Sequence, residues 1–318
     1  MKKPKIKILS PISHIGEAED LIRAGADEFY CGLFLNGHRF SSPRSPDNSK
    51  TSFTFETLEQ FLKMAKKRGK DVFLALNNPI YKPDEWKVVK KNLRRLKKLD
   101  LDGVIVANFD LLEEFKGLGL NLAASSYFEA KNEETVRVLE EFGATRVIFD
   151  RQITLSDLAI ARKFPQMEFE VFIIGGACRS IINYCHSMAE LNKKDPKFGH
   201  LCWDKVRVRN EKGRLQKKTA ETIAARLTTK GHYSCCGICA LPDFAKNNIT
   251  SLKIIGRDYP TDIKLKNLKM VKKGVEMLGE DLSDEEYRRR AKKLYREIFG
   301  VPCQFCFYPH FKNNGKSR

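Results

Sequence analysis

Short apolar runs alternate with amphipathic stretches along most of the chain. The apolar runs predict eight strands, at residues 5–12, 26–33, 70–77, 103–108, 121–127, 145–150, 169–176 and 251–257. Between them, apolar residues recur at helical spacing, as in FTFETLEQFLKMAKKRG at residues 53–69. Short, continuously apolar strands are typical of a parallel sheet that is covered by helices.

This alternation predicts an α/β fold. Eight strand–helix units in about 250 residues are the size of a TIM-type (β/α)8 barrel. An open, doubly wound sheet is the alternative, although no G-x-G-x-x-G or P-loop motif supports a nucleotide-binding version of it. Strands seven and eight are separated by 74 residues, 177–250, which hold six of the nine cysteines. A long loop inside a compact domain is usually functional.

The pattern therefore divides the chain into two parts. Residues 1–258 form the predicted barrel domain, including the cysteine-rich insertion 177–250. Residues 259–318 are predicted to form C-terminal helices and a C-x2-C tail that pack on the barrel.

Active sites of such barrels lie at the carboxyl ends of the strands, where the insertion also begins. Polar and cysteine residues near the strand ends are expected at the same face: Ser13, His14, Cys31, Asn77, Asn78, Asn108, Ser125, Ser126, Asp150, Arg151 and Arg257. Each has a structural alternative as a cap or turn residue. Asn108 is a candidate substrate-binding residue, and it could equally cap the helix that follows it. The pattern assigns no catalytic residue.

The net charge of +18 is concentrated in residues 63–70, 87–98, 205–230 and 263–273. Solvated helix faces would explain it, and so would attraction to a polyanion such as RNA. No apolar run approaches the roughly 18–20 residues of a membrane span. The opening MKKPKIKILSPIS has no signal-peptide core or cleavage site, so it predicts a first strand and a cytoplasmic location.

The cysteines have an unusual spacing. Cys178, Cys185 and Cys202 form a C-x6-C-x16-C pattern, and Cys235, Cys236 and Cys239 follow. In a reducing compartment, clustered cysteines are more often metal-binding or catalytic than disulfide-bonded. Zinc knuckles favour tight C-x2–4-C pairs. The wide spacing therefore favours an iron–sulfur cluster over zinc, with buried thiols that bind nothing as the third interpretation.

Four segments together resemble the peptidase U32 family of collagenase-like peptidases, over roughly residues 5–258. They are EAEDLIRAGADEFYCGL (17–33), the region of Asn132, EVFIIGGACRSIINYCHSMA (170–189) and SLKIIGR (251–257). Several matches in the right order are more specific than any one of them.

The resemblance implies a 4Fe–4S cluster on four cysteines. The family pattern matches Cys178, Cys185 and Cys202 directly. The fourth ligand normally precedes a Leu-Pro element, and counting back from Leu241–Pro242 favours Cys236. Adjacent cysteines are not resolved by counting, so Cys235 and Cys239 are the alternatives.

The resemblance also implies an activity. Better-understood members act in oxygen-independent hydroxylation of ubiquinone precursors or of an RNA pyrimidine, with prephenate implicated as the oxygen source. An enzyme or subunit that hydroxylates a small aromatic molecule or an RNA base is therefore expected. The alternatives are a collagenase-like peptidase, which no H-E-x-x-H or G-x-S-x-G motif supports, and a non-catalytic, cluster-bearing partner of a second U32-family chain.

Two positions depart from the family pattern. Ile255 stands where glutamate is usual, and Gln152 stands where an Arg-Glu pair is common, so acid–base chemistry at these positions is in doubt. Arg151 and Arg257 are retained. Each could bind a carboxylate or phosphate through two-point contacts, or form ion pairs at the barrel rim.

The C-terminal tail carries a further C-x2-C pair, Cys303 and Cys306. With Cys235 and Cys239 it could complete a second four-thiolate site, for zinc or an iron–sulfur cluster. Packing of the tail, redox-active thiols and participation in the main cluster are the alternatives. Cys31 is expected to be a small buried hydrophobe.

Overall fold

The computed structural model describes residues 6–35, 38–41, 52–176, 212–214, 235–303 and 306–308. Its strands are β1 (Lys7–Pro11), β2 (Glu28–Gly32), β3 (Phe34–Leu35), β4 (His38–Arg39), β5 (Asp71–Leu76), β6 (Gly103–Val106), β7 (Asn121–Ala124), β8 (Arg146–Ile148), β9 (Glu168–Gly175), β10 (Cys235–Cys236) and β11 (Ser251–Ile254). Its α-helices are α1 (Ala18–Ala24), α2 (Phe55–Lys67), α3 (Pro83–Leu96), α4 (Phe109–Phe115), α5 (Glu133–Glu141), α6 (Leu241–Lys246), α7 (Thr261–Met277) and α8 (Asp284–Phe299).

Eight of these strands close into a parallel barrel. Their order is β9, β11, β1, β2, β5, β6, β7 and β8, and β8 pairs with β9 to complete the circle. Each barrel strand lies beside the next one in the chain, as short right-handed crossovers require. All eight lie where the apolar runs predicted strands, so the TIM-type barrel is confirmed and the open sheet is wrong.

The inside of the barrel is packed with side chains. Every second residue of a strand points inward, and seven such residues form one apolar layer: Leu9, Tyr30, Phe73, Ile105, Ala123, Ile148 and Phe172. The residues between them, such as Leu74 and Val104, pack outward against the helices. The interior is therefore a core with no open channel.

A buried ion network lies at the amino ends of the strands, beneath the apolar layer. Arg146 has no exposed side-chain surface, and its Nη2 atom lies 2.8 Å from Glu28 Oε1. Its Nη1 atom lies 3.3 Å from Glu170 Oε2, while Lys253 Nζ lies 2.7 Å from Glu170 Oε1. Ser251 Oγ donates to Glu28 Oε2 at 3.0 Å. This end of such a barrel serves stability, because catalysis occurs at the other end.

The elements after β9 lie against the barrel. Of the insertion 177–250, the structure describes residues 212–214 and 235–250. In the second of these ranges, β10 pairs antiparallel with the end of β9. Helix α7 packs on β1 and α1, in the place of the helix that follows the eighth strand, and α8 packs on α7. Among the described helices, none combines the length and apolar character that crossing a membrane requires.

Candidate functional site

Two glycines turn the chain sharply at the carboxyl end of the barrel. Gly175 ends β9 with φ +136°, and Gly256 follows β11 with φ +114°. A Cβ atom at Gly175 would lie 2.4 Å from Ile255 Cβ, and one at Gly256 would lie 2.4 Å from Tyr259 Cδ2. Only glycine fits both positions. The bends place Gly176 and Arg257 at the same rim of the barrel.

Asp150 follows β8 at this rim, and its side chain is 1% exposed. Its Oδ2 atom lies 3.3 Å from Lys131 Nζ. Within the described part of the chain, neither carboxyl oxygen receives a hydrogen bond. Buried polar atoms are almost always hydrogen-bonded, because desolvation is costly. A ligand that donates N–H or O–H groups would remove this cost.

Arg151 lies beside Asp150 and over an aromatic ring. Its guanidinium carbon is 4.9 Å from the centroid of Phe172, and its Nη1 atom donates to the carbonyl oxygen of Gly176 at 3.4 Å. The Tyr308 hydroxyl donates to the carbonyl oxygen of Phe172 at 2.9 Å. Burial, and then the nearby Cys306 and Asp150, raise the pKa of Tyr308, so this phenol stays neutral.

Arg257 lies on the same rim after β11. It is buried, and its Nη2 atom donates to Ser41 Oγ at 2.8 Å. Beneath the rim, the Tyr30 hydroxyl donates to the carbonyl oxygen of Ile254 at 3.0 Å. Burial raises the pKa of Tyr30, and the charges of Arg257 and Arg151 both oppose the rise. The barrel mouth therefore joins two guanidinium groups and a carboxyl group.

A second buried network fixes the backbone of Arg257. Ser13 Oγ donates to the Arg257 carbonyl oxygen, and Lys264 Nζ donates to Ser13 Oγ at 2.7 Å and to Glu17 Oε1 at 2.7 Å. Glu17 Oε2 accepts from Thr261 Oγ1 at 2.9 Å. Burial lowers the pKa of Lys264, and Glu17 opposes this effect. No sequence pattern marks Glu17 or Lys264 as a site residue, because each looks like an ordinary charged helix residue.

Replacing Thr261 with valine should lower the free energy of unfolding by about 2 kcal/mol, because a hydrogen bond to a buried charged group is lost. Thr261→Ser keeps the hydroxyl and should stay close to wild type. Urea denaturation of the three proteins measures this difference. Equal losses in the valine and serine variants would show that the Glu17 contact contributes nothing.

Several predicted site residues form local hydrogen bonds or pack in the core. Asn108, Asn132 and Ser125 each accept a backbone N–H of the helical turn that follows, at 2.9, 2.9 and 3.4 Å. Cys31 is buried in the outer core, where it behaves as a small hydrophobe, and His14 is exposed. These contacts are ordinary caps and packing, so Asn108 is held by α4 at the edge of the rim.

The cysteines are described only in part. Cys178, Cys185 and Cys202 lie outside the described residues. Cys235 is half-buried and lies opposite Gly175 in the β9–β10 register. Burial, and then the nearby Cys306, raise the pKa of Cys235 to about 11, and Arg151 opposes the rise. Among the residues that can be described, no three His, Cys, Asp or Glu side chains are placed to hold a metal ion.

The excess positive charge of the described residues lies on the outer faces of helices. The exposed basic residues include Lys63 and Lys67 on α2, Lys87, Lys90, Lys91 and Arg94 on α3, and Lys266, Lys269, Lys272 and Lys273 on α7. The predicted segments 63–70, 87–98 and 263–273 thus form basic helix surfaces around the barrel. Most of segment 205–230 lies outside the described residues.

Comparison of the sequence with known proteins identifies a family and several relatives. Residues 13–317 match the model of peptidase family U32. An uncharacterized protease of Methanocaldococcus jannaschii is 26% identical over 94% of this chain and 73% of its own length. The tRNA hydroxylation protein P of Escherichia coli is 26% identical over 61% of this chain and 42% of its own length. The 23S rRNA 5-hydroxycytidine C2501 synthase of Escherichia coli is 23% identical over 57% of this chain and 26% of its own length.

The chain thus spans less than half the length of these two RNA-modifying relatives. The family match covers nearly all of the chain and includes the strand ends that carry Asp150, Arg151 and Arg257. The chain belongs to peptidase family U32.

Proposed function

We propose that this protein is an iron–sulfur protein that hydroxylates a pyrimidine base in RNA without molecular oxygen. The observation that carries the proposal is the buried carboxyl group of Asp150, which receives no hydrogen bond from the described residues and lies beside Arg151 at the barrel mouth. RNA-modifying members of the same family support it.

A flipped pyrimidine matches this chemistry. Unstacked RNA bases are recognised by stacking on aromatic rings or arginine planes and by hydrogen bonds to their edges. The N–H groups of a pyrimidine edge would donate to Asp150, and the Arg151 guanidinium, fixed over Phe172, offers a flat cationic surface. The base would thereby supply the donors that the described protein groups do not.

Arg257 provides the second anion-binding group of the mouth. Its Nη2 contact with Ser41 and its buried position hold the guanidinium in one orientation. Such a pre-oriented fork suits a phosphate of the RNA or a carboxylate of an organic oxygen donor. The hydrogen-bond network of Ser13, Glu17 and Lys264 fixes the backbone of Arg257.

The cysteines support a 4Fe–4S cluster next to this mouth. Residue 178 lies two positions beyond Gly176, and Cys235 returns beside Gly175 at the other end of the insertion. Gly176 and Cys235, the described residues nearest to the cysteines 178–202 on either side, therefore both lie at the rim near Arg151. A thiolate-bound cluster supplies electron transfer when it is bound. Cys178, Cys185 and Cys202 would hold it, with Cys236 as the fourth thiolate and Cys235 or Cys239 as the alternatives.

The basic helix surfaces suit an RNA substrate, since a positive field attracts the phosphate backbone without specifying sequence. An RNA substrate also places the protein in the cytoplasm under this proposal. A cysteine peptidase would need a histidine beside a thiol. His14 is exposed and Cys31 is buried in the outer core, so these two residues do not favour that alternative.

The test combines iron analysis with RNA analysis. Anaerobically purified protein should contain about four iron and four sulfide per chain. Hydroxylated pyrimidine nucleosides in total RNA, measured by mass spectrometry, should disappear when the gene is deleted and return with the wild-type gene. The variant Cys178→Ser/Cys185→Ser should lose the iron and fail to restore the nucleoside.

Cys31→Ala is the matched control, because it removes a buried cysteine outside the insertion and should retain both iron and RNA modification. An iron-free wild-type protein after anaerobic reconstitution would refute the cluster. Unchanged nucleosides in the deletion strain would refute the RNA substrate. Co-purification of a second U32-family chain with loss of activity in its absence would identify this chain as a partner subunit.

A further inference from the structure

Helix α3 carries a row of positive charge on the outside of the barrel. Its members are exposed and follow the i, i+3, i+4, i+7 spacing that places side chains on one face of a helix: Lys87, Lys90, Lys91 and Arg94. Both acidic residues of α3 lie in its first turn, and one of them, Glu85, is buried. We call these four cations the α3 stripe.

The α3 stripe forms no ion pair within the ranges that the structure describes. Its basic neighbours do: Arg95 pairs with Glu59 at 3.0 Å, and Lys97 pairs with Glu114 at 2.6 Å. Like charges three and four positions apart destabilise a helix. The stripe therefore weakens α3 slightly, and an anionic partner would reverse this effect.

The loop before α3 is fixed to the rim of the barrel by an aromatic pair. The Tyr81 hydroxyl donates to the carbonyl oxygen of Leu76, the last residue of β5, at 2.9 Å and to that of Phe40 at 2.7 Å. The ring of Trp86 lies 5.5 Å from the ring of Tyr81, and Lys90 Nζ lies 5.5 Å from the Trp86 centroid. These contacts join the rim to the start of the α3 stripe.

Ile80 stands exposed on this loop. Its side chain is 79% exposed, the largest fraction among the large apolar side chains of the described ranges. Tyr81 holds the loop on one side, and on the other Asn108 Nδ2 donates to the carbonyl oxygen of Asn78 at 3.5 Å. Isolated apolar residues are common on protein surfaces. Ile80 differs because a fixed loop presents it at the barrel mouth, next to the helix that carries the α3 stripe.

We infer that α3 and the loop 77–82 form the surface on which the RNA docks, with the α3 stripe on the phosphates and Ile80 against the bases. The inference rests on the proposed function, because it concerns the same RNA. Cations in a row suit a phosphate backbone, which carries a negative charge at every nucleotide. Apolar side chains, isoleucine among them, act as wedges that unstack bases. An enzyme that modifies a base must first remove it from its stack.

The placement of the surface fits this use. Helix α3 begins at the rim, so an RNA strand that follows the α3 stripe reaches the barrel mouth at Ile80. Asp150 follows β8, three strands round the barrel from β5. A base that Ile80 displaces is therefore released over the mouth that holds the buried carboxyl group.

The test measures RNA binding without turnover, by fluorescence anisotropy of a labelled oligouridylate of about 20 nucleotides. Lys87→Gln/Lys91→Gln/Arg94→Gln should weaken binding about 10- to 100-fold at about 0.15 M salt. The plot of log Kd against log salt concentration should become shallower by about 2, because each contact of a single-stranded phosphate contributes about 0.7 to the slope.

The matched control removes the same charge from another side of the barrel. Lys266, Lys269 and Lys273 are exposed on α7, which packs on β1, whereas α3 follows β5. Lys266→Gln/Lys269→Gln/Lys273→Gln should stay within about 2-fold of wild type, because salt screens charges that lie farther than a Debye length from the RNA.

Lys87→Glu separates binding from folding. The new carboxylate lies four positions before Lys91, the favourable order for an ion pair on a helix. Urea denaturation should therefore show stability equal to or above that of wild type, while binding of the oligouridylate should fall about 10-fold. Lys269→Glu makes the same charge change on α7 and should bind like wild type.

Ile80→Ala tests the contact with bases. It should weaken oligouridylate binding about 10-fold, because apolar area is no longer buried, and it should leave the salt dependence unchanged. Binding of heparin, a polyanion without bases, should not change. Val138→Ala is the control, since Val138 is a partly exposed aliphatic residue on α5, and it should bind both ligands like wild type.

Equal weakening by the α3 and α7 variants would overturn the inference, because RNA would then respond only to the overall positive field. A wild-type protein that does not bind the oligouridylate at low salt would also overturn it. So would wild-type levels of hydroxylated nucleoside in a deletion strain complemented with the α3 variant. Selective loss of RNA binding in the α3 variants supports the surface even if deletion of the gene leaves the nucleosides unchanged, in which case only the proposed reaction fails.

Discussion

Arg146→Ala should lower the free energy of unfolding by about 3–5 kcal/mol, because removing one partner of a buried ion network leaves the others charged and without compensation. Arg146 contacts Glu28, Glu168 and Glu170, and its guanidinium lies 4.4 Å from the ring of Phe73. Urea denaturation with a reversible, single transition measures the loss. Arg146→Lys keeps the charge but not the forked geometry, and it should fall between wild type and alanine.

Arg289→Ala is the matched control. Arg289 also makes a two-point contact with a carboxylate, at 2.9 and 2.6 Å from Glu286, but it does so on the surface of α8. Exposed ion pairs contribute little because water solvates both charges. The control should therefore unfold close to wild type. An equally small effect of Arg146→Ala would mean that water reaches the barrel interior and solvates the three glutamates.

The same ion network makes the free energy of unfolding depend on pH. Burial alone would raise the pKa of Glu28, but hydrogen bonds and charge from Arg146 and Lys7 lower it overall. A carboxyl group whose pKa is lower in the folded state stabilises the protein above its unfolded pKa, about 4.3. That contribution is lost as the pH falls through the folded pKa. The difference between wild type and Arg146→Ala should therefore shrink in acid.

Asp150→Asn should reduce RNA hydroxylation at least about 100-fold, within the range by which removal of one positioned group slows an enzyme. Asparagine keeps the size of the side chain but presents an amide N–H₂ where the proposed base needs an acceptor. The amount of hydroxylated nucleoside in complemented deletion strains measures the effect. Stability should fall by no more than about 1 kcal/mol, because the described residues donate no hydrogen bond to the Asp150 carboxyl group and its ion-pair partner Lys131 is partly exposed.

Asp110→Asn provides the control, because Asp110 is exposed in the first turn of α4, away from the barrel interior. It should restore hydroxylation to the wild-type level. If Asp150→Asn also restores it, the carboxyl group has no part in binding the base. Reduced hydroxylation together with reduced stability would instead point to a structural role for the Lys131 ion pair.

The barrel could be predicted because its signals are local. A strand such as Asp71–Leu76 is a short apolar run bounded by turn residues, and α2 repeats its apolar residues at helical spacing. These patterns depend only on neighbours within a few positions. The candidate site was predicted in part, because strand ends of a barrel converge and Arg151 and Arg257 follow two of them. Asp150 was included among the strand-end residues without any sign of its missing donors.

The buried ion pairs depend on tertiary structure, because their partners are far apart along the chain. Glu17 meets Lys264 across 247 positions, and Arg146 meets Glu28 across 118, so no local pattern marks either pair as buried. The sequence determined the strands, the barrel and the place of the cysteine-rich insertion. Only the folded chain decided which charges lose their water and which cysteines meet. Folding brings Cys236 beside Cys306 and buries the carboxyl group of Asp150 at the barrel mouth.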